Sequence, residues 1–463
     1  MGLEAIFEPN SVCVIGASRD RGKVGNVILQ NIASNFRGRI FLIHPIAQEI
    51  EGLRCYKSVD ELPEPPDIAV ISLPPEKSVD YLESLGKKGC KVSIPVSGGF
   101  GESGSRGKEL EISIKKIAEK YGMRVIGPNT VGVIIPRSGL NTALTEAEKS
   151  TFPSEGALSF ISQSGALGLL SMDAASDWGL GFSSFVSLGN EADVSENDVL
   201  ELVGRDKETK SIALYLEKIN NVENFLSICK RISKEKGIVL LKGGLGESGN
   251  RATSLHTGSL FRTNFSLRGI FAQHGIIQAL DETQLLDYGM ALSYGRPIFG
   301  KRIAVVTSAG GVGVVSSDLL EMKGFTLPKP SGAIEKEIRK IISPLGSPFN
   351  PFDMTAEATD DQYEGLIKVL EKSGEYDAVL VFALFQTAGV SRKMIDILSK
   401  FNRESSLPIV VGIIGGEKSK EILRKVIKNE VPAYPSIDRA TNGLWVLGER
   451  GKYLGGISNE HSP

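Results

Sequence analysis

Short apolar runs recur along the chain. Most are closed by glycine or proline, and most are followed by a stretch whose apolar positions return every three or four residues. SVCVIG (11–16), RIFLIHP (39–45), DIAVISLP (67–74), KVSIPV (91–96) and MRVIGPNTVGVI (123–134) are the first five. Runs this short and this continuously apolar predict strands buried on both faces. The intervening EKSVDYLESLGKKG and GKELEISIKKIAEKYG carry the helical period. Strands alternating with helices predict a parallel sheet with helices on both sides, and ligands bind such sheets beyond the carboxyl ends of the strands.

The pattern fades over 136–154, which reads as a linker, and then restarts twice. ALSFIS (157–162), SFVSL (184–188), SIALYL (211–216) and GIVLLK (237–242) are the strands of a second unit. IAVVT (303–307), YDAVLVFALF (376–385) and LPIVVGIIGG (407–416) are those of a third, with GRPIFGK (295–301) as a turn-rich link between. The expectation is an α/β protein of three successive parallel-sheet domains. GGFGESGSR (98–106) and GGLGESGNR (243–251) differ at two positions and each follows a strand. This echo predicts that the first two units are equivalent folds presenting a Gly-rich loop after the same strand.

The chemistry gathers in glycine turns. After the first strand comes GASRDRGK, which is neither GxGxxG nor a P-loop: Gly16 is followed by Ala-Ser, and five residues rather than four separate Gly16 from Gly22. Gly16, Ser18, Arg19, Arg21 and Lys23 remain at a helix start, where backbone N–H groups, the helix dipole and the cations favour a phosphate. The same sheet edge offers Pro45, Ser72, Ser97, Gly98 and Asn129. Two further turns, SQSGA (162–166) and SAGGVG (308–313), each join a strand to a helix and can aim several N–H groups at one anion. Facing each other, two such turns would hold a phosphoryl group without a lysine.

Of only four histidines, His256 alone sits in a small-residue loop with hydroxyls around it, Ser254, Thr257 and Ser259. An imidazole there suits nucleophilic, basic or metal-ligating work. Glu217, at the end of a strand in the same unit, can accept the proton on one ring nitrogen and sharpen the other. Its alternative is an ion pair with Lys218.

Composition narrows the classes. A chain of 463 residues is too long for one ordinary domain. A net charge of −2 without a basic block argues against nucleic acid as a partner. Cys13, Cys55, Cys90 and Cys229 form no CxxC pair, so no zinc-site or redox spacing exists, and no paired carboxylates stand at metal spacing. No membrane span or signal pattern is apparent, so the expected place is the cytoplasm.

Taken together, SVCVIGASRDRGKVGNVILQNI, FISQSGALG, FVSLGNEADV, the strand ending at Glu217 and HTGSL resemble the nucleoside-diphosphate-forming acyl-CoA synthetases. The resemblance is nearest to the α subunits of the ADP-forming acetyl-CoA type and more distant to succinyl-CoA synthetase. It implies a Rossmann-like CoA-binding domain (1–135), a ligase domain with a phosphohistidine loop (150–294) and a second, flavodoxin-like ligase domain (300–455). It implies His256 as the phosphohistidine and Glu217 as its partner. Ser162, Gln163, Ser164 and Gly165, with Ala309, Gly310 and Gly311, become the phosphate-binding turns. Gly16, Ser18, Arg19 and Lys23, with the edge residues Pro45, Ser72, Ser97, Gly98 and Asn129, fall on CoA. It further implies ADP/ATP and Mg²⁺ mainly on an ATP-grasp β subunit in an α2β2 heterotetramer, with phosphate and an acyl-CoA as the small ligands. Departures from the family pattern are Leu255 before the histidine, AGGVG for AGGPG, Phe261-Arg262 after HTGSL, and His44-Pro45-Ile46 after the second strand. A rival reading is a catalytically silent protein of the same fold that senses CoA or acyl-CoA. A nicotinamide dehydrogenase is disfavoured by the missing GxGxxG.

Overall fold

A computed structural model describes residues 2–246, 248–249, 251 and 267–460. His256 and its neighbours Ser254, Leu255, Thr257 and Ser259 lie outside the described residues, as do Phe261 and Arg262. The described chain is mixed α/β. Met1–Ser176, Gly181–Lys236 and Leu240–His274 form one compact unit, and Asp177–Leu180, Gly237–Val239 and Gly275–Pro463 form another.

In the first unit, β1 (Ser11–Ile15), β2 (Arg39–Ile43), β3 (Glu49–Ile50), β4 (Leu53–Tyr56), β5 (Ile68–Ile71), β6 (Val92–Pro95) and β7 (Arg124–Val125) build one sheet. Its order is β3-β4-β2-β1-β5-β6-β7. All pairs are parallel except the edge pair β3–β4. Leaving out β3, the order is that of the Rossmann fold, in which the chain reverses direction across the sheet on either side of β1. The continuous apolar runs explain the burial: every residue of β1 and β5 is buried. Ile15, Ile43 and Ile71 pack with Leu82 and Leu85 of helix Pro75–Lys88 and with Ile114 and Ile117 of helix Ser105–Tyr121.

The second sheet holds β8 (Val133–Ile135), β9 (Leu140–Asn141), β10 (Glu155–Ser162), β11 (Phe182–Ser187), β12 (Ser211–Leu216) and β13 (Gly237–Lys242). They lie side by side as β13-β12-β10-β11-β8-β9. β10 is parallel to both β11 and β12, while β8 runs antiparallel to β11 and to β9. The sequence of β11, β10, β12 and β13 across the sheet is the flavodoxin-like 2-1-3-4. β13 therefore holds the place in this sheet that β6 holds in the first. The echoing glycine loops follow equivalent strands, as their sequences predict.

The second unit carries β14 (Ile276–Ala279), and a five-stranded sheet of β15 (Ile303–Thr307), β16 (Phe352–Asp353), β17 (Ala378–Phe382), β18 (Ile409–Gly412) and β19 (Ala433–Tyr434). Its order is β16-β15-β17-β18-β19, all parallel, and again flavodoxin-like.

Two expectations are corrected. The run 123–134 is not one strand. It splits at Gly127 (φ 110°), Pro128 and Asn129 (φ 58°), so that β7 ends one sheet and β8 enters the next. Nor is 136–154 wholly a linker. It contains a short 3-10 turn, Pro136–Ser138, and β9, which closes a hairpin on β8. Neither the β3–β4 pair nor β16 was marked by the apolar pattern, because each of β3 and β16 is only two residues long. The four cysteines are free. Cys13, Cys90 and Cys229 are buried, and burial raises their pKa values, that of Cys90 to about 12, so these thiols stay protonated. Among the described residues no helix is long and apolar enough to cross a membrane.

Candidate functional site

Each sheet has one point where strand order reverses, and each of the three predicted glycine turns leaves the strand at that point: after β1, after β10 and after β15. This is where open α/β sheets leave a crevice for a ligand.

The first turn depends on two glycines. A Cβ on Gly16 would lie 2.4 Å from the carbonyl oxygen of Ser72, and one on Gly25 would lie 2.0 Å from the Gly16 carbonyl oxygen. Only bare backbone lets β1 end against β5 with helix Val24–Asn35 starting directly above it. The Ser18 hydroxyl accepts from Asp20 N at 3.1 Å, and its carbonyl accepts from Asn26 Nδ2 at 2.8 Å. Arg19 donates through Nε and Nη2 to the carbonyl of Glu49 at 3.3 and 2.9 Å. Lys23 is paired with Asp20 at 2.5 Å, both side chains about two-thirds exposed. In the neighbouring loop after β2, His44 Nδ1 accepts from the N–H groups of Ile46 and Ala47, which leaves Pro45 and Ile46 in solvent.

Along the same edge Ser72 N bonds the Ile15 carbonyl at 2.8 Å and Asn129 N bonds the Ser97 carbonyl at 3.1 Å. The Asn129 side chain also lies beside Gly98. The structure thus brings together Gly16 with Ser72, and Ser97 and Gly98 with Asn129. The Gly98 loop is folded by two carboxylates. Glu102 accepts from Gly99 N and Phe100 N, and Glu111 from Gly101 N. Asn190, from the loop after β11, donates to both Glu102 and Glu111 and accepts from Asn129 Nδ2 at 3.2 Å. Sequence inspection did not single out Glu102, Glu111 or Asn190. Asn190 lies 79 and 88 residues from its two carboxylate partners, and the connection has no local signature.

The second turn is closed off. Ser162 Oγ donates to the Ser164 carbonyl at 2.6 Å, and Ser164 Oγ accepts from Leu167 N at 3.3 Å in the first turn of helix Gly165–Trp178. The side-chain oxygen of Gln163 accepts from the backbone N–H groups of Glu217 and Lys218 at 2.6 and 2.9 Å. Its amide nitrogen donates to Glu191 Oε1 and the Lys218 carbonyl, both at 3.0 Å. Lys218 does not pair with Glu217: its ammonium reaches Glu191 at 3.2 Å. Burial raises the pKa of Glu191, with Lys218 pulling the other way.

Glu217 keeps its carboxylate for something else. Oε1 accepts from the Tyr215 hydroxyl at 3.2 Å, which burial and Glu217 hold above its ordinary pKa and therefore protonated. Oε2 is buried, and no described group bonds it. A buried carboxylate oxygen without a donor is costly unless a donor arrives. Lys242, at the end of β13 and almost fully buried, donates to the Glu217 carbonyl at 2.7 Å and to the Gly243 carbonyl. Burial lowers its pKa, with Glu217 opposing. A Cβ on Gly243 would lie 3.4 Å from Glu217 Cγ, so the chain leading toward His256 starts against this carboxylate. Tyr215 could have been read from the alternation of β12, which puts residues 215 and 217 on one face.

The third turn starts helix Gly310–Met322. Thr307 Oγ1 accepts from Ala309 N at 3.0 Å, and Tyr363, buried, donates to the Phe382 carbonyl at 2.8 Å while its oxygen accepts from Ser308 Oγ at 3.0 Å. A Cβ on Gly310 would lie 2.9 Å from Asp353 Oδ2, and one on Gly311 would meet nothing within 4 Å. The backbone of Gly311 is therefore open to a ligand. Among the described residues no group of three or more His, Cys, Asp or Glu could hold a metal ion.

Three family models cover the chain in succession: a CoA binding domain at residues 10–136, a succinyl-CoA ligase like flavodoxin domain at 155–292 and a Ligase-CoA domain at 303–457. Together they define a CoA ligase. Among its relatives, the α subunit of acetate–CoA ligase [ADP-forming] I of Pyrococcus furiosus is 36% identical over 455 residues, 96% of this chain and 97% of that one. The α subunit of the second such ligase of that organism is 34% identical over 99% of this chain and 100% of its own. A solved structure from Ca. Korarchaeum cryptofilum, a dinucleotide forming acetyl-coenzyme A synthetase in complex with phosphate and ADP, superposes with a TM-score of 0.90 at 34% identity over 100% of both chains. The chain belongs to the family of ADP-forming acetate–CoA ligase α subunits.

Proposed function

We propose that this chain is the α subunit of an ADP-forming acyl-CoA synthetase of the acetyl-CoA type, converting acyl-CoA, ADP and phosphate reversibly to acid, CoA and ATP. Residues 1–135 take CoA at the edge running from Pro45 through Gly16, Ser18, Arg19 and Lys23 to Ser72, Ser97, Gly98 and Asn129. Residues 150–294 carry the phosphohistidine chemistry, and 300–455 supply the second phosphate turn. A phosphate oxygen attacks the thioester carbonyl carbon, the C–S bond breaks, and CoA leaves as its thiolate, giving an acyl phosphate. His256 then attacks phosphorus, the bridging P–O bond breaks, and the carboxylate leaves. The phosphoryl group passes from the histidine nitrogen to ADP on an ATP-grasp β subunit, in an α2β2 assembly. Mg²⁺ belongs with the nucleotide on that partner.

The observation that carries this reading is Glu217 Oε2. It is buried and lacks a described donor, and its residue is bonded through its N–H to Gln163 of the glycine turn and lies against Gly243, where the chain sets out toward His256. An imidazole N–H is a fitting donor, and accepting it would make the other ring nitrogen a better nucleophile. The helix start at Ser164–Gly165 and, separately, the one at Ala309–Gly311 each offer backbone amides suited to a phosphoryl charge. The test is incubation with acetyl-CoA and labelled phosphate. An acid-labile, alkali-stable label on the protein is expected. Its absence would favour the silent CoA-binding protein instead.

A further inference from the structure

Strand pairing between β10 and β12 stops at Ser162 and Tyr215, with one more rung from Gln163 N to the Tyr215 carbonyl at 3.1 Å. Beyond that point no strand among the described residues neighbours Glu217 and Lys218 on this side. The Gln163 side chain supplies what a further residue of β10 would have supplied. Its oxygen accepts the N–H groups of both residues, and its nitrogen donates to the Lys218 carbonyl. The remaining amide hydrogen is spent on Glu191, which Lys218 and Asn220 also hold. Gln163 is nearly fully buried, and both of its amide hydrogens and both lone pairs of its oxygen are committed to protein groups.

We propose that the Gln163 side chain is a positioning residue that fixes the backbone of Glu217, and that it does not contact the phosphoryl group: its amide is committed to Glu217, Lys218 and Glu191, and its backbone N–H to the Tyr215 carbonyl. This rests on the reading of Glu217 given above. The arrangement ties the turn that receives phosphate to the carboxylate that orients the histidine. One residue belongs to both, so neither can shift without the other. The requirement is specific to an amide. Methionine has the length but neither donor nor acceptor of comparable strength. Glutamate would accept from the two N–H groups but would face the Lys218 carbonyl and the Glu191 carboxylate with no proton to give.

The experiment uses the full chain and four variants: Gln163→Met, Gln163→Glu, Glu191→Gln and the last two combined. Labelling from acetyl-CoA and labelled phosphate is followed at varied phosphate, and amide hydrogen exchange is read at Glu217 and Lys218. Gln163→Met and Gln163→Glu should each lower the plateau labelling rate about a hundredfold, as misplacement near 1 Å can. The phosphate concentration at half-saturation should not change. The double variant should recover about tenfold over Gln163→Glu, because the amide that Glu191→Gln introduces can donate to the new carboxylate. Exchange at the two amides should quicken in Gln163→Met. A wild-type plateau in Gln163→Met, a raised half-saturation with the plateau kept, or no recovery in the double variant would overturn the proposal. An unlabelled wild-type chain would instead defeat the functional reading. The exchange rates at Glu217 and Lys218 would then decide on Gln163 by themselves: unchanged exchange rejects the clamp.

Discussion

The turn after β1 and the turn after β10 occupy the same topological place in two sheets, yet they are built in opposite ways. The first is open: Arg19, Arg21 and Lys23 are exposed, and its two critical glycines serve only to let backbones pass. The second has no cation of its own. Its side chains turn inward, with Gln163 spent on Glu217, Lys218 and Glu191. Exposed charge suits capture of a large, highly charged ligand from solvent, at the cost of screening by salt. Oriented amides backed by buried groups suit a small anion whose charge changes during reaction, because they do not reorganise. On the function proposed above, the difference separates binding from chemistry along one chain.

The sharpest way to test that separation is His256→Ala. The label should vanish while CoA binding, measured by titration calorimetry, stays within about twofold. Loss of both together would show that the two turns are not independent. Next in size is Glu217→Gln. The glutamine keeps a hydrogen bond and loses the charge, so label should form far more slowly, by up to about 10⁴-fold on the precedent of a triad carboxylate. Acyl-phosphate release, trapped with hydroxylamine, should persist. Labelling at the wild-type rate would pass the role to another carboxylate, Glu191 first.

Breaking the other side of the comparison calls for Gly25→Ala. The added methyl would sit 2.0 Å from the Gly16 carbonyl, so the helix start must move. Overpacking of this kind costs about 1–3 kcal/mol, and CoA affinity should fall with thermal stability while labelling at saturating acetyl-CoA survives. Smaller still is Lys23→Ala. Its pair with Asp20 is exposed and screened by solvent, so it adds little to folding and melting should hardly change. CoA affinity should drop by more than dephospho-CoA affinity, and the difference should shrink as salt is raised. Equal loss for both ligands at every salt concentration would remove Lys23 from phosphate recognition.

Much of this contrast was legible in the sequence. Runs such as SVCVI and AVLVF, short, β-branched and closed by turn residues, read as buried strands and are, and the glycine turn after SVCVI marks its strand end. Glu217 was legible too, as an acidic residue ending an apolar strand. What could not be read was membership. The stretch 123–134 looks like one strand because periodicity reports which positions are apolar, and says nothing about which sheet receives them. Gln163 shows the same limit for the site. Its type and its place in the turn were visible, but its partners lie 28, 54 and 55 residues away, and no local pattern announces them. Lys23 illustrates the converse: a cation at the helix start where the sequence puts it, paired there with a neighbouring aspartate that no pattern announced.

Lys242 has one more consequence. Acyl phosphates and thioesters acylate free amines without any enzyme, and an amine whose pKa burial has lowered is ordinarily the first to react. Lys242 is such an amine, set beside the carboxylate around which the proposed acyl phosphate is consumed. Its nitrogen, however, is enclosed, and the carbonyls of Glu217 and Gly243 to which it donates favour the protonated form, which has no lone pair to offer. Lys242 is thereby shielded from becoming its by-product. Accidental acetylation should fall on solvent-exposed lysines such as Lys23, where its effect is on affinity and not on turnover.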